Sequence, residues 1–220
     1  IQYIMVSKRN TIKNKKKGFR KTRKQTGGMP TLAKQQKEIG TLLLTKAELG
    51  KTDECRTILE LGVDGVEIDV DFQVPPINKT ALIGASTYGR VDTMKMLLEK
   101  GTNVNIKDKR GNTAHIYACL MNIPSEALSI LLENEADVNA QNNHNETALM
   151  IASEKGDTEK VSILLDKGAD INLENDDNKT ALMLAYNDEI KSLIEKKQEG
   201  AGKRKIRSKR KFKKYYNNMK

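Results

Sequence analysis

Apolar and polar positions recur along this chain at a spacing of 33 or 34 residues. Each repeat opens with a Thr-Ala pair, carries a small Ala five residues after the Thr, and closes with two adjacent large apolar residues. A fixed period of this length is typical of stacked-repeat proteins. Because one such unit cannot bury its apolar face alone, the pattern predicts a core shared between neighbouring units. The repeated Thr residues are Thr80, Thr113, Thr147 and Thr180.

A tight turn is predicted before each of these Thr residues. The position two residues before the Thr is occupied in turn by Asn78, Gly111, Asn145 and Asn178. Gly and Asn tolerate positive φ better than other residues, so the sequence predicts one turn used four times. We expect the Thr hydroxyl to cap the first turn of the following helix, where backbone N–H groups lack partners.

The regions on either side of the regular repeats deviate from the pattern. Residues 30–50 have positions spaced for one helix face, and residues 40–62 predict a degenerate first repeat. Between Val66 and Val74 apolar and polar residues alternate, which predicts a strand that Pro75-Pro76 ends. The last repeat lacks about one helical turn. Its second helix has acids at its start and lysines at its end, which matches the helix dipole and indicates a C-terminal cap.

Together these motifs resemble the ankyrin repeat: T-x-L-x-x-A, a later Gly, a Leu pair and G-A-D-V/I-N, over roughly residues 40–197. The resemblance implies an all-α ankyrin-repeat solenoid of helix-turn-helix units with β-hairpin loops. Ala replaces the usual Pro after each Thr, and His115 replaces a Leu. We divide the chain into a basic N-terminal arm (1–29), a helix with the degenerate repeat (30–77), the repeats with their cap (78–199) and a basic tail (200–220).

Charge is distributed unevenly along the chain. Residues 1–28 contain ten Lys or Arg and no acid, and residues 200–220 contain the same numbers. Residues 29–199 contain 19 Lys or Arg and 29 Asp or Glu, a net charge of 19 − 29 = −10. Segments with high like charge and few apolar residues cannot bury enough surface to offset their ordering entropy. We therefore predict that both arms are disordered around an acidic body.

The basic arms leave three interpretations open. They bind RNA, DNA or another polyanion, or they are nuclear-import signals, or they are solvated tails, including tails that fold back on the acidic body. The aromatic residues available to stack on bases are Phe19, Phe212, Tyr215 and Tyr216. The candidate polyanion-binding residues are Lys15, Lys16, Lys17, Arg20, Lys203, Arg204, Lys205, Lys209, Arg210 and Lys211.

Catalytic and metal-binding patterns are not recognisable in the sequence. His115 occupies a core Leu slot and His144 lies at a predicted hairpin tip. With Cys55 and Cys119 they do not have zinc-ligand spacing. Residues 200–203 lack the spacing and the Ser or Thr of a phosphate-binding loop. We expect no enzyme, no metal, no cofactor and no membrane span, and two unpaired cysteines fit a reducing, intracellular compartment, cytoplasmic or nuclear.

The resemblance also implies a binding surface formed by hairpin tips and exposed inner-helix positions. Carried over position by position, it includes Thr87, Tyr88, Lys109, Arg110, Asn112, Tyr117, Met121, Asn143, His144, Glu146, Glu154, Lys155, Asp176, Asp177 and Lys179. The predicted partner-binding residues among these are Tyr88, Lys109, Arg110, Tyr117, His144, Glu146, Glu154 and Lys155. The expected function is a non-catalytic scaffold or adaptor for another protein, with basic arms for polyanion or nuclear attachment. The alternative is a basic nucleic-acid-binding protein in which the repeats are a spacer.

Overall fold

Pairs of helices joined by short turns form the described part of the chain. The structure is a computed structural model, and it describes residues 32–61 and 69–199. Within these ranges only isolated β-bridges occur, so the architecture is helical, as predicted. The helices are α1 (Leu32–Glu48), α2 (Thr52–Leu61), α3 (Ala81–Thr87), α4 (Val91–Glu99), α5 (Ala114–Leu120), α6 (Ser125–Glu133), α7 (Ala148–Lys155), α8 (Thr158–Asp166), α9 (Ala181–Leu184) and α10 (188–199).

The helices stack in two rows. Helices α3, α5, α7 and α9 pack side by side as the inner row, and α2, α4, α6 and α8 pack as the outer row. Ala85, Ala118 and Ala152 are completely buried, and their small size permits close helix approach. Gly84 faces α1, because a Cβ at this position would lie 2.5 Å from the Leu44 Cδ1 atom. One continuous core therefore runs through the repeats.

A capping Thr immediately precedes each of the inner helices α3, α5, α7 and α9. The Thr hydroxyl accepts a hydrogen bond from the backbone N–H three residues later, and the four distances are 3.2, 3.5, 3.2 and 3.4 Å. The turn residues before them have φ values of 59°, 77°, 55° and 56° at Asn78, Gly111, Asn145 and Asn178. The predicted N-caps and the predicted left-handed turns are both confirmed.

Two rows of hydrogen bonds connect successive hairpins. In the first row, here called the tip ladder, a backbone N–H donates to a carbonyl of the preceding tip: Lys109 to Ile77 (2.8 Å), Asn143 to Arg110 (3.0 Å) and Asp176 to His144 (3.1 Å). In the second row, here called the Asx ladder, a backbone N–H donates to a side chain of the preceding hairpin: Asn103 to Asp71 (3.0 Å), Asp137 to Asn105 (2.8 Å) and Asp170 to Asn139 (2.8 Å). These ladders fix the spacing of the hairpins.

The first hairpin corrects the prediction of a strand. Residues 69–74 form no strand, and an antiparallel bridge joins Val74 to Lys79. Pro75 and Pro76 lie inside the turn between these two residues, so they do not end the hairpin. The alternation of apolar and polar residues does not indicate a strand here, because the Asp71 carboxylate accepts a hydrogen bond from the Asn103 N–H in the Asx ladder. Val66 and the rest of residues 62–68 lie outside the described residues.

The last repeat is shortened, as predicted. Helix α9 has four residues, and α10 follows at residue 188. Ile190 and Ile194 of α10 are buried in the shared core, and they cover its C-terminal end on the outer row. The predicted basic arms at 1–29 and 200–220 lie outside the described residues, and the boundaries of the four proposed segments remain predictions.

Candidate partner-binding surface

The second hairpin tip combines a fixed backbone with exposed cations. Lys109 and Arg110 are both exposed. The Lys109 N–H donates to the Ile77 carbonyl, and the Arg110 carbonyl accepts from the Asn143 N–H. The Arg110 N–H also donates to the Asp108 carboxylate at 2.9 Å. Because this backbone is already ordered, a ligand that binds there does not bear the entropy of ordering a loop.

The third tip carries an exposed histidine and a carboxylate that already accepts a hydrogen bond within the tip. The His144 side chain is 77 % exposed, and its Nδ1 atom lies 3.9 Å from the Asp176 carboxylate. Glu146 is half-buried, and its carboxylate accepts a hydrogen bond from the Asn142 amide at 2.8 Å. His144 is therefore accessible to a partner, whereas Glu146 also holds the turn together.

Further predicted residues lie at the C-terminal ends of the inner helices. Tyr88 is 52 % exposed immediately after α3, and Met121 is 37 % exposed immediately after α5. Glu154 and Lys155 are exposed at the end of α7. Tyr88, Met121 and Lys155 each lie eight residues after the capping Thr of their repeat, so they continue the surface of the tips along the stack.

Tyr117 is buried, so the expectation that it is exposed is wrong. It is 5 % exposed, and its hydroxyl donates to the Asp108 carboxylate at 2.7 Å. The Lys79 ammonium lies 4.8 Å from the centroid of its ring, within cation–π range. Desolvation, together with the hydrogen bond to Asp108, raises the pKa of Tyr117 to about 12, so the phenol stays a donor. Tyr117 therefore supports the second tip from below, since Asp108 also accepts from the Arg110 N–H.

Two other carried-over positions are also buried. The Thr87 hydroxyl donates to the Ile83 carbonyl at 2.8 Å, which turns it back onto its own helix. The Asn112 side-chain oxygen accepts from the Asn142 amide at 3.2 Å, which links two hairpins. Both side chains stabilise the scaffold beneath the surface.

Sequence reasoning missed two exposed apolar residues in the last repeat. Met183 is 70 % exposed, although the equivalent residues of the earlier repeats are buried at 1 % exposure or less: Ile83, Ile116 and Met150. Those side chains face the next repeat, and no described segment stacks on the last one. Tyr186 is 78 % exposed beside Gly156, which leaves room for its ring. The exposure of Met183 could have been predicted, because no further Thr-Ala repeat follows Thr180 in the sequence.

The charge of the tips changes sign along the stack. The second tip carries Lys109 and Arg110, whereas the last tip carries the exposed carboxylates of Asp176 and Asp177. Asp176 accepts from the Asn145 amide at 2.7 Å, and Asp177 pairs with Lys179 at 3.4 Å. A partner that lies along all the tips therefore meets a cationic region first and an anionic region last.

Burial holds His115, Cys55 and Cys119 in their neutral forms. His115 is completely buried, and its Nδ1 atom lies 2.9 Å from the Thr113 hydroxyl. Desolvation lowers the pKa of His115 to about 4. Burial also raises the pKa of Cys55 to about 11 and that of Cys119 to about 12. Within residues 32–61 and 69–199 no group of three His, Cys, Asp or Glu residues is placed to hold a metal ion.

The candidate polyanion-binding residues cannot be placed on this surface. All of them lie outside the described residues: Lys15, Lys16, Lys17, Arg20, Lys203, Arg204, Lys205, Lys209, Arg210 and Lys211. Across the described ranges, each helix is too short or too polar to cross a membrane.

Comparison with known proteins points to one repeat family. A family model described as ankyrin repeats (3 copies) matches residues 43–142 and 116–204. The chain is 27% identical over 122 residues to the E3 ubiquitin-protein ligase KEG of Arabidopsis thaliana, a match that covers 53% of this chain and 7% of that protein. It is 30% identical over 95 residues to the palmitoyltransferase AKR1 of Lachancea kluyveri, which covers 42% of this chain and 13% of that protein. The matches therefore span only a small part of either relative.

Proposed function

Because the chain belongs to the ankyrin-repeat family, we propose that it is a non-catalytic scaffold or adaptor that binds another protein through its hairpin tips and the exposed ends of its inner helices. Ankyrin repeats are typically protein-interaction modules. The observation that carries the proposal is the second tip, where Lys109 and Arg110 are exposed on a backbone that is hydrogen-bonded to the tips on both sides.

The residues proposed to contact the partner are Tyr88, Lys109, Arg110, His144, Glu154 and Lys155, with Glu146 at the margin. Tyr and Arg are enriched among the residues that dominate interface energies, so Tyr88 and Arg110 are the proposed anchors. Tyr117 acts indirectly, by holding Asp108 beneath the second tip. The basic arms are proposed to add attachment to a polyanion or to the nuclear-import machinery.

Affinity capture followed by mass spectrometry tests this proposal. The baits are the full chain, a chain without residues 1–31 and 200–220, and two double variants in the full chain. Tyr88→Ala with Arg110→Ala alters the proposed surface. The matched control, Glu99→Ala with Glu133→Ala, alters exposed positions on the outer helices α4 and α6.

We expect the full, arm-deleted and control chains to recover the same protein, and the Tyr88 and Arg110 variant to recover at least about tenfold less of it. Equal recovery by both double variants would show that the tips are not the binding surface. Recovery that depends only on the arms would also reject the scaffold function.

A second candidate is a nucleic-acid-binding protein in which the repeats are a spacer. It is favoured by ten Lys or Arg in each arm without a single acid. If one arm neutralises ten phosphates of a single strand, the logarithm of the binding constant should fall against log[salt] with a slope of about −7. A titration with single-stranded RNA measures that slope, and a binding constant independent of salt would eliminate this candidate.

A further inference from the structure

Three cations at and beside the second hairpin tip lack an acidic partner. Lys109 and Arg110 are exposed at the tip, and half-buried Lys79 belongs to the first hairpin. Among the described residues no carboxylate forms an ion pair with any of the three. By contrast, Lys95 of the outer helix α4 pairs with Glu126 at 2.9 Å. The positive charge near the second tip is therefore available to a ligand.

A chain of contacts joins Lys79 to the second tip. The Lys79 ammonium lies 4.8 Å from the centroid of the Tyr117 ring and 3.5 Å from the Thr87 hydroxyl. The Tyr117 hydroxyl donates to the Asp108 carboxylate at 2.7 Å, and this carboxylate also accepts the Arg110 N–H at 2.9 Å. One tyrosine ring and one carboxylate thus lie between the Lys79 ammonium and the Arg110 backbone. We call the three cations the cationic site: Lys79, Lys109 and Arg110.

The buried Asp108 carboxylate leaves the cationic site positively charged. Its oxygens accept hydrogen bonds from the Arg110 N–H, the Asn112 N–H and the Tyr117 hydroxyl. These bonds hold Asp108 under the tip, and its single charge offsets only one of the three cations. An anion that binds there meets excess positive charge on a backbone that the tip ladder already orders.

Exposed apolar side chains border the cationic site. Ile77 is 44 % exposed, and its carbonyl accepts the Lys109 N–H at 2.8 Å. Tyr88 and Met121 are exposed after α3 and α5, the two inner helices that the Lys79 ammonium contacts. We call these three side chains the apolar border: Ile77, Tyr88 and Met121. A ligand of the cationic site can therefore bury apolar surface next to its charged groups.

The following tips disfavour a long polyanion as that ligand. The third tip carries Glu146, and the last tip carries the exposed carboxylates of Asp176 and Asp177. A nucleic-acid strand that ran along the tips would bring its phosphates against these carboxylates, and like charges repel. A protein segment can place its acidic side chains on the cationic site alone and an apolar side chain on the border. The chemistry therefore favours clustered Asp or Glu next to a large apolar residue.

We propose that the cationic site binds an acidic segment of the protein partner. Carboxylates of that segment pair with the three cations, and the Arg110 guanidinium can bind a carboxylate through two N–H groups. A neighbouring large apolar side chain of the segment packs on the apolar border. This inference rests on the proposed function, because it names the chemistry of the partner that the tips bind. Since the ion pairs are exposed, the affinity falls as salt is added.

Selection of random peptides displayed on phage identifies the chemistry that the tips bind. The bait is the full chain, and free peptides of residues 1–28 and 200–220 are added in excess to remove phage that bind the basic arms. We expect the enriched peptides to combine clustered Asp or Glu with a large apolar residue. Their affinities for the full chain are then measured with labelled peptides by fluorescence anisotropy.

Matched variants locate the binding of these peptides. Lys109→Gln with Arg110→Gln removes two charges from the cationic site and should weaken binding roughly tenfold. The control, Lys167→Gln with Lys196→Gln, removes two exposed charges beside α8 and on α10 and should change binding less than about twofold. Equal urea midpoints verify that both variants are folded.

A double-mutant cycle tests direct contact. Changing the acidic residues of the peptide to Asn or Gln should also weaken binding to the wild type roughly tenfold. The same change should have little effect on binding to the Lys109 and Arg110 variant, because the ion pairs are already lost there.

Several results would overturn the proposal. They are a selection that enriches no peptide, enriched peptides without acidic residues, and losses that simply add in the cycle. Peptides weakened by Tyr88→Ala but not by the charge variant would overturn it and leave the tips as the binding surface. Peptides unaffected by either change would reject the proposed surface as well. Single-stranded RNA that needs Lys109 and Arg110, where no peptide does, would assign the site to nucleic acid instead.

Discussion

Mild acid should destabilise the repeats through one buried histidine. His115 is completely buried in a Leu slot, its Nδ1 atom contacts Thr113, and its Nε2 atom has no hydrogen-bond partner. Desolvation lowers its pKa from 6.5 to about 4 in the folded protein. The unfolded chain therefore takes up a proton before the folded protein does. The stability that this histidine contributes in its neutral form is complete above pH 6.5 and is lost as the pH falls towards 4.

The size of the effect follows from the pKa difference. At pH 5 the unfolded histidine lies 1.5 pH units below its pKa and the folded one is still mostly neutral. At about 1.4 kcal/mol per unit, unfolding becomes easier by about 2 kcal/mol between pH 7.5 and pH 5. That is a large fraction of the stability of a small domain.

Urea unfolding at pH 7.5 and pH 5.0 measures this change in three proteins. The wild type and the exposed-histidine control His144→Asn should lose about 2 kcal/mol more than His115→Leu. All three chains contain the same carboxylates, so the difference between His115→Leu and the other two proteins reports on His115. If His115→Leu loses as much stability as the wild type, the histidine is not held neutral by burial and the reasoning is refuted.

Four further substitutions test the stability of the stack. Glu135 has φ 64° where the equivalent residue Gly168 has φ 89°, so Glu135→Gly should raise the free energy of unfolding by about 1 kcal/mol. Gly168→Ala should lower it by a similar amount, because a Cβ there meets nothing within 4 Å and only backbone strain is added; effects of opposite sign would contradict this. Thr147→Ala removes an N-cap and should cost about 1 kcal/mol in a urea titration, whereas no change would show that the 3.2 Å cap is not stabilising. Tyr117→Phe should cost about 1–2 kcal/mol by the same assay, because it removes a donor from buried Asp108, and a neutral effect would show that this bond is dispensable.

Features that depend on adjacent residues could be predicted from the sequence. The capping Thr and the residue two positions before it share one turn, so residue type and spacing were enough to predict both the N-cap and the positive φ at Asn78 and Asn145. The shared core also followed from the period, because stacking is the only way such units bury their apolar faces.

Features that depend on distant or missing neighbours could not be predicted from the sequence. Tyr117 is buried, and its hydroxyl donates a hydrogen bond to Asp108, nine residues earlier; nothing in the sequence around an inner-helix Tyr indicates that bond. Met183 is exposed because no described repeat follows, although its slot is a core position elsewhere. The alternating residues before Pro75 satisfied a strand pattern, but the turn and the Asx ladder decided their conformation.

The central claim is that a protein partner contacts the tips and inner-helix ends, and lysine cross-linking of the captured complex tests it most directly. The chain carries exposed lysines on this surface at Lys109, Lys155 and Lys179, and on the outer helices at Lys95 and Lys191. After cross-linking and mass spectrometry, we expect cross-links to the partner from the first group and few from the second. Cross-links to the partner confined to the outer-helix lysines, or to the arms, would contradict the account.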